Sequence, residues 1–164
     1  MKVVIVIVAS LASLLFAAAA LAASPATCSK LAPARPASTK AAGRGLLVPK
    51  GAGGVLLCRY GGLNAPAPRG LERERLVSSH ARIAGLTTDF NALRPQPPGI
   101  VNCPLDDGSE IVATFRYPSR GEDIVTVGLT GCRLVGNGVV PARTASRGAG
   151  PRLLAELSAL APSR

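Results

Sequence analysis

Four cysteines that follow an apolar leader constrain this chain more than any other feature of its sequence. Residues 1–22 have the pattern of a secretory signal peptide, with Lys2 before a long apolar stretch and Ala20-Leu21-Ala22 as a small-x-small cleavage site. The cysteines all lie beyond that site, at Cys28, Cys58, Cys103 and Cys132. Because an exported chain reaches an oxidising compartment, an even set of thiols there is expected to pair. The sequence therefore predicts a secreted, extracytoplasmic domain stapled by two disulfides.

Two other interpretations of the leader fit the residues less well. An uncleaved membrane anchor would need an uninterrupted apolar segment, whereas Ser10 and Ser13 break this one and a cleavage pattern follows it. A lipoprotein would be acylated at Cys28, but Pro25-Ala26-Thr27 does not form a lipobox, and an odd number of thiols would remain. We therefore predict no membrane segment after signal cleavage.

The mature chain has the size of one domain and an excess of positive charge. Removal of residues 1–22 leaves about 142 residues, enough to bury a core, which must be mainly aliphatic because there is no Trp. The full chain has a formal charge of +10, which becomes +9 without Lys2, and fifteen of its nineteen basic residues are Arg. This excess indicates either an ordinary soluble basic surface or attraction to an anionic envelope polymer. Nucleic acid is a poor partner, because no aromatic residues stand among the arginines to stack on bases.

Composition divides the rest of the chain into three parts. Residues 23–45 are rich in Pro, Ala and Ser and cannot bury enough apolar surface to offset the entropy of ordering them. We predict a flexible tail there, tethered only through Cys28. A folded domain is expected over residues 46–140. A linker and a C-terminal helix are expected over residues 141–164, where Pro151 opens a helix with regularly spaced leucines.

Hydrophobic periodicity predicts an α+β fold for the domain. Strands are expected over residues 55–60 and 71–77, and the second alternates Glu with Arg as a solvent-facing edge strand does. A hairpin is expected over residues 111–129, with one face of its first strand formed by Ile111, Ala113, Phe115 and Tyr117.

A helix is expected between those strands and the hairpin. Ser78 or Ser79 can cap its start, and Pro95 stops it. Its apolar stripe consists of Ile83, Leu86, Phe90 and Leu93. The expected architecture is a small antiparallel sheet with one packed helix and a short C-terminal helix.

The cysteines permit three pairings, of which we favour one. Cys103 and Cys132 bracket the hairpin, and a sheet can return the chain beside its start, so these two are expected to pair. Cys28 and Cys58 then form the other disulfide. A zinc site is disfavoured, because the thiols show no CxxC spacing and the compartment is oxidising.

The sequence offers little for catalysis or cofactor binding. His80 is the only histidine, and no GxSxG elbow accompanies it, so we interpret it as an exposed residue near a helix start. Asp106, Asp107 and Glu110 lack the spacing of a calcium loop and are typical of an Asp-Gly turn. We predict a protein that is not an enzyme and that holds neither a metal nor a cofactor.

Two resemblances add to this interpretation. Segments such as Cys58-Arg59-Tyr60-Gly61-Gly62, Cys103-Pro104 and Gly128-Leu129-Thr130-Gly131-Cys132 resemble a group of secreted bacterial proteins of unknown function. From Cys58 to Cys132, the order of strand, helix ending in Asn-Ala-Leu, Cys-Pro, hairpin and Cys is similar to the bacterial subtilisin inhibitors.

The second resemblance implies a candidate inhibitory loop at Pro104, Leu105 and Asp106. In that family the loop after Cys-Pro is extended and anchored by a disulfide, and the protease pocket would take Leu105. Such a loop binds tightly because little ordering entropy is lost on docking. The Asp106-Asp107-Gly108 sequence, by contrast, is typical of a tight turn, so the shape of residues 103–109 is left open at this point.

These observations favour a secreted, disulfide-stabilised binding domain without catalytic activity. Its partner would be an extracellular serine protease if the inhibitor resemblance holds. The alternative is a basic protein of the cell envelope that binds anionic polymers.

Overall fold

An antiparallel sheet with two helices forms the described part of the chain, which a computed structural model places over residues 27–34, 45–99, 102–144 and 147–163. The strands are β1 (Gly54–Tyr60), β2 (Leu71–Val77), β3 (Arg94–Pro95), β4 (Glu110–Tyr117), β5 (Gly121–Gly128), β6 (Leu134–Gly136) and β7 (Pro141–Arg143). The helices are α1 (His80–Asn91) and α2 (Ala149–Leu160). The strand order is β2-β1-β4-β5-β6-β7-β3, which confirms the α+β prediction. The predicted signal peptide, residues 1–22, lies outside the described residues.

The helical face of the sheet carries the main core. β4 and β5 form the predicted hairpin, and alternate residues of β4 (Ile111, Ala113, Phe115 and Tyr117) point into this core. Phe115 packs edge to face against Phe90 of α1, with ring centroids 5.6 Å apart. β2 lies at one edge of the sheet, as its alternating Glu and Arg residues predict.

The opposite face of β1 and β4 is covered by residues 27–34. Leu56, Cys58, Tyr60 and Val112 form a second cluster there, packed against Cys28 and Ala32. Backbone hydrogen bonds fix the covering segment, from Leu71 N to Lys30 O and from Ala32 N to Arg69 O, both 2.9 Å. The prediction of a tail tethered only through Cys28 is therefore wrong for residues 27–34, because a strand that is apolar on both faces needs a cover on both. The rest of residues 23–44 lies outside the described residues.

Both helices pack on the main core. The predicted stripe of α1 is buried through Ile83, Leu86 and Phe90, and Leu93 follows just after the helix. Ser79 is the N-cap, but its side chain makes no capping hydrogen bond, contrary to the prediction. Residues 79–82 are exposed, so water can satisfy the first N–H groups of the helix.

The C-terminal region is part of the same fold. α2 buries Leu153 and Leu157, and its Arg152 forms a bidentate ion pair with Asp89 of α1. Pro151 is the third residue of α2, not the first. The segment predicted as a linker from residue 141 starts with β7, which pairs with β6 and β3, so the sheet continues beyond the expected boundary at 140.

Two asparagines hold residues 46–49 beneath the sheet. The Asn91 side chain donates to Val48 O (2.6 Å) and accepts from Val48 N (3.0 Å), as a strand partner would. The buried Asn137 amide donates to Leu46 O and Leu47 O, both at 3.1 Å. These side chains satisfy backbone groups of a segment whose residues 47–49 are buried without belonging to a strand.

Candidate functional site

The two predicted disulfides are both present. Cys28 is bonded to Cys58, and Cys103 to Cys132, with Cα atoms 5.7 and 5.0 Å apart respectively. Two disulfides in a small domain fit an extracytoplasmic protein. In the described ranges, neither helix is long and apolar enough to span a bilayer.

The Cys103–Cys132 disulfide anchors a turn with Leu105 at its tip. Asp106 N donates to Cys103 O at 3.4 Å, and Leu105 has a φ of 63°. Pro104 in the second position and a positive φ in the third are the pattern of a type II turn. The Leu105 side chain is 92% exposed. Residues 103–106 therefore form a protruding tight turn, and the extended shape implied by the inhibitor resemblance is not the one they adopt.

A hydrogen-bond network stands behind this turn. The Thr130 hydroxyl donates to Asp107 Oδ1 at 2.6 Å and accepts from Asp107 N at 3.1 Å. Ser109 N donates to the same carboxylate oxygen at 2.9 Å, and Gly108 N to Asp106 Oδ1 at 3.0 Å. The Thr130 hydroxyl, followed by Ser109, lowers the pKa of Asp107, since these bonds favour the ionised form. Asp106 and Asp107 thus each accept a hydrogen bond from a backbone N–H two residues later, which is typical of the Asp-Gly turn that the sequence predicts.

Neighbouring loops pack too closely against the turn for it to swing freely. Leu63 N donates to Asp107 O at 2.7 Å. A Cβ on Gly62 would lie 2.5 Å from the Asp107 carboxylate, and one on Gly131, whose φ is 58°, would lie 2.6 Å from Asp106 Cβ. Only glycine permits these approaches. We define residues 102–109, with their anchors Thr130 and Cys132, as the Leu105 loop.

A cleft of about 600 Å³ lies between the base of the Leu105 loop and α2. Asp107 and Thr130 line it from the loop, and Arg133 and Leu154 from the sides. Arg59 lines it as well, but its guanidinium is already engaged by Glu72 Oε2 (3.3 Å) and by Ala161 O (3.1 Å). The lining thus mixes both signs of charge.

A second cleft, of about 480 Å³, lies at the β2 edge and is lined by arginines. Arg73 and Arg75 of β2 face Arg82 of α1 across it. We call this the arginine cleft.

His80 sits apart from both clefts, exposed at the start of α1 as predicted. It borders a cavity of about 460 Å³ with Lys50, Thr87 and Thr88, and none of the described residues that line this cavity carries a carboxylate. In the part of the chain that the structure describes, no three His, Cys, Asp or Glu side chains lie close enough together to hold a metal ion.

Sequence reasoning missed two contributors to these surfaces. No local pattern marks Thr130 as a partner of Asp107, because the two residues are 23 positions apart in the chain. The alternation of Arg73 and Arg75 with glutamates predicts a protected edge strand. The spacing of two residues between the arginines is the signal that places both side chains on one face of that strand. Comparisons with protein-family models, curated proteins and solved structures find no match to this chain.

Proposed function

We propose that this protein is an extracytoplasmic binding domain without catalytic activity, and that it contacts a partner protein through the Leu105 loop. The observation that carries the proposal is a leucine 92% exposed at the tip of a turn anchored by a disulfide. An exposed leucine is ordinary by itself. This one belongs to a turn that is held through Asp107 by Thr130 and by a close approach to Gly62, so its position at the surface is defined before a partner arrives.

The partner we propose is an extracellular serine protease with a pocket for leucine, in line with the resemblance to subtilisin inhibitors. The turn conformation of the loop means that it must change shape before a protease can bind it as a substrate. A substrate-like fit needs extended backbone, whereas Leu105 has a φ of 63°. Inhibition would therefore be stoichiometric and slow to develop, because the loop must open before Leu105 and Asp106 can span the catalytic groups.

Titration of a panel of subtilisin- and chymotrypsin-like proteases tests the proposal. The oxidised protein should inhibit at least one of them at micromolar concentration, and Leu105→Gly should abolish the inhibition. Leu63→Ala is the matched control, since Leu63 is also an exposed leucine, 61% accessible, in the adjacent loop. No inhibition across the panel, or equal losses in the two variants, would contradict the protease proposal.

A second candidate function is association with an anionic polymer of the cell envelope. The arginine cleft favours this function, because Arg73, Arg75 and Arg82 concentrate positive charge at one place on the surface. Retention on anionic wall polymer should fall steeply as salt rises from 50 to 500 mM, since exposed charges are screened. Retention that does not change with salt would count against this function.

A further inference from the structure

Three arginines from two elements converge on one cleft. Arg73 and Arg75 lie two residues apart on β2, so their side chains leave the same face of the strand. Arg82, the third residue of α1, lines the cleft from the other side, and Ala159 and Leu160 of α2 close it together with Pro162. α2 thus supplies no charge to the lining.

The three guanidinium groups are free to bind a ligand as far as the described residues go. No side chain of Arg73, Arg75 or Arg82 forms a hydrogen bond or an ion pair with any of those residues. Arg59, which pairs in register with Arg73, is by contrast occupied by Glu72. The arginines of the cleft differ in this respect from their nearest basic neighbour.

One carboxylate also lines the cleft. Glu74 lies between Arg73 and Arg75, and its Oε2 accepts from Cys28 N at 2.8 Å on the side of the covering segment. With Glu74 counted, the lining keeps a formal charge of +2. A carboxylate ligand, with one charge, would leave half of that uncompensated.

We propose that the arginine cleft binds phosphate groups. A phosphate monoester carries about −1.5 to −2 charges at neutral pH and three acceptor oxygens, and two neighbouring units of a polyphosphate carry a similar charge. Either matches the net charge of +2 in the lining. Each guanidinium presents paired N–H donors suited to a phosphate. The inference rests on the second proposed function, of which it names the site and the ligand chemistry.

Binding of a soluble polyphosphate to the full oxidised chain tests the site, with poly-glutamate of equal length as the carboxylate probe. The double variant Arg73→Gln/Arg75→Gln removes two charges from the cleft, and Arg82→Gln removes the third independently. The matched control is Arg94→Gln/Arg143→Gln. These two arginines are exposed, pair in register on β3 and β7, and lie at the opposite edge of the sheet.

We expect polyphosphate affinity to fall at least tenfold in the Arg73→Gln/Arg75→Gln variant and in Arg82→Gln, and less than twofold in the control. The slope of log Kd against log salt should also fall by about two in the double variant. Equal losses in the cleft and control variants, or poly-glutamate bound as tightly as polyphosphate, would overturn the proposal.

Two further measurements separate the ligand source and the function from the site. Phosphatidic acid vesicles, whose headgroup is a phosphate monoester, replace polyphosphate in a parallel titration. A loss confined to the cleft variants with either probe supports phosphate recognition, and the probe bound more tightly identifies the source. Retention on wall polymer that is equal in wild type and the cleft variants overturns the site while the envelope function stands. Cleft-dependent polyphosphate binding without any retention supports the site and rejects that function.

Discussion

The two disulfides close loops of almost equal length in different surroundings. Their cysteines are 30 and 29 residues apart. Cys58 is buried beside Leu56 and Tyr60, and its bond to Cys28 fixes a covering segment over one face of the sheet. Cys132 lies beside polar loops, and its bond to Cys103 shapes a protruding turn. The same covalent device therefore completes the packing in one place and presents a surface in the other.

Removal of each disulfide gives the largest expected effect and separates the two roles. The chain-entropy model assigns each about 3–4 kcal/mol for a loop of this length. Cys28→Ala/Cys58→Ala should cost more than Cys103→Ala/Cys132→Ala, because the covering segment also loses its packing on the second cluster. Urea unfolding measures both free energies. Equal losses would show that the packing of residues 27–34 adds nothing to stability.

Thr130→Val tests whether the Leu105 loop depends on its network as well as on its disulfide. The change keeps the shape of the side chain, leaves Asp107 N without its acceptor and leaves the Asp107 carboxylate with Ser109 N as its remaining donor. We expect a loss of about 0.5–1.5 kcal/mol in the free energy of unfolding by urea. Thr130→Ser should restore most of it. A neutral Thr130→Val would mean that the disulfide alone holds the loop.

The same variant changes the pH dependence of stability. The folded-state pKa of Asp107 lies below its usual value, so its contribution is present above the unfolded pKa, near 3.8, and is lost as pH falls through the folded pKa. Burial raises the pKa of the neighbouring Glu110, with the opposite sign: its contribution is present below about 4.5 and is lost as pH rises. Between pH 2 and 6, the free energy of unfolding should fall less steeply with acid in Thr130→Val than in wild type, and as steeply as in wild type in Thr130→Ser.

Tyr60→Phe tests the covering segment without touching its disulfide. The Tyr60 hydroxyl donates to Ser29 O at 3.2 Å, so its loss should cost about 1 kcal/mol. Hydrogen exchange should quicken at Leu71 N and Ala32 N, whose hydrogen bonds join this segment to residues 69–71, and stay unchanged in the Leu105 loop. Faster exchange in both regions would show that they are coupled.

Alkaline unfolding tests the helical face of the sheet through Tyr117. Burial raises the pKa of Tyr117 to about 12, and its hydroxyl donates to Pro49 O at 2.7 Å. The stability that depends on its protonation is complete below pH 10 and is lost as pH rises toward 12. Tyr117→Phe should remove this alkaline loss, which spectrophotometric titration and unfolding can follow together. If Tyr117→Phe loses stability above pH 10 as wild type does, the alkaline loss comes from other groups.

Leu105→Gly should have the smallest effect on stability, with the opposite sign. The side chain is almost fully exposed and its backbone has a positive φ, which glycine adopts without strain. We expect no loss and a gain of up to about 1 kcal/mol in the free energy of unfolding. A loss above about 1 kcal/mol would show that Leu105 packs against the protein and is not free to meet a partner.

Local periodicity was enough to predict the hairpin and the α1 stripe. Ile111, Ala113 and Phe115 alternate because one face of β4 meets the helices, and Ile83, Leu86 and Phe90 recur at helical spacing for the same reason. The disulfide pairing followed from the hairpin, since a returning strand brings Cys132 close to Cys103. These features depend on neighbours that the sequence itself places together.

Other features depend on contacts between distant residues and were missed. Residues 27–34 have a composition typical of a tail, yet they are ordered by the second apolar face of β1. Asn137 stands in a Gly-Asn-Gly sequence typical of a turn, yet it is buried and its amide donates to Leu46 O and Leu47 O, about 90 residues away. The convergence of Arg82 with Arg73 likewise requires β2, α1 and the end of α2 to meet at one cleft. Only tertiary structure brings such groups together.

The order of cysteine pairing has a consequence for how the chain is oxidised during its synthesis. Both links join cysteines that are consecutive in the chain, Cys28 with Cys58 and Cys103 with Cys132. A polypeptide that emerges amino end first can seal the first ring before the third thiol has appeared. A catalyst that simply oxidises each newly exposed pair would then give the native connectivity, with no need for an isomerase to correct it.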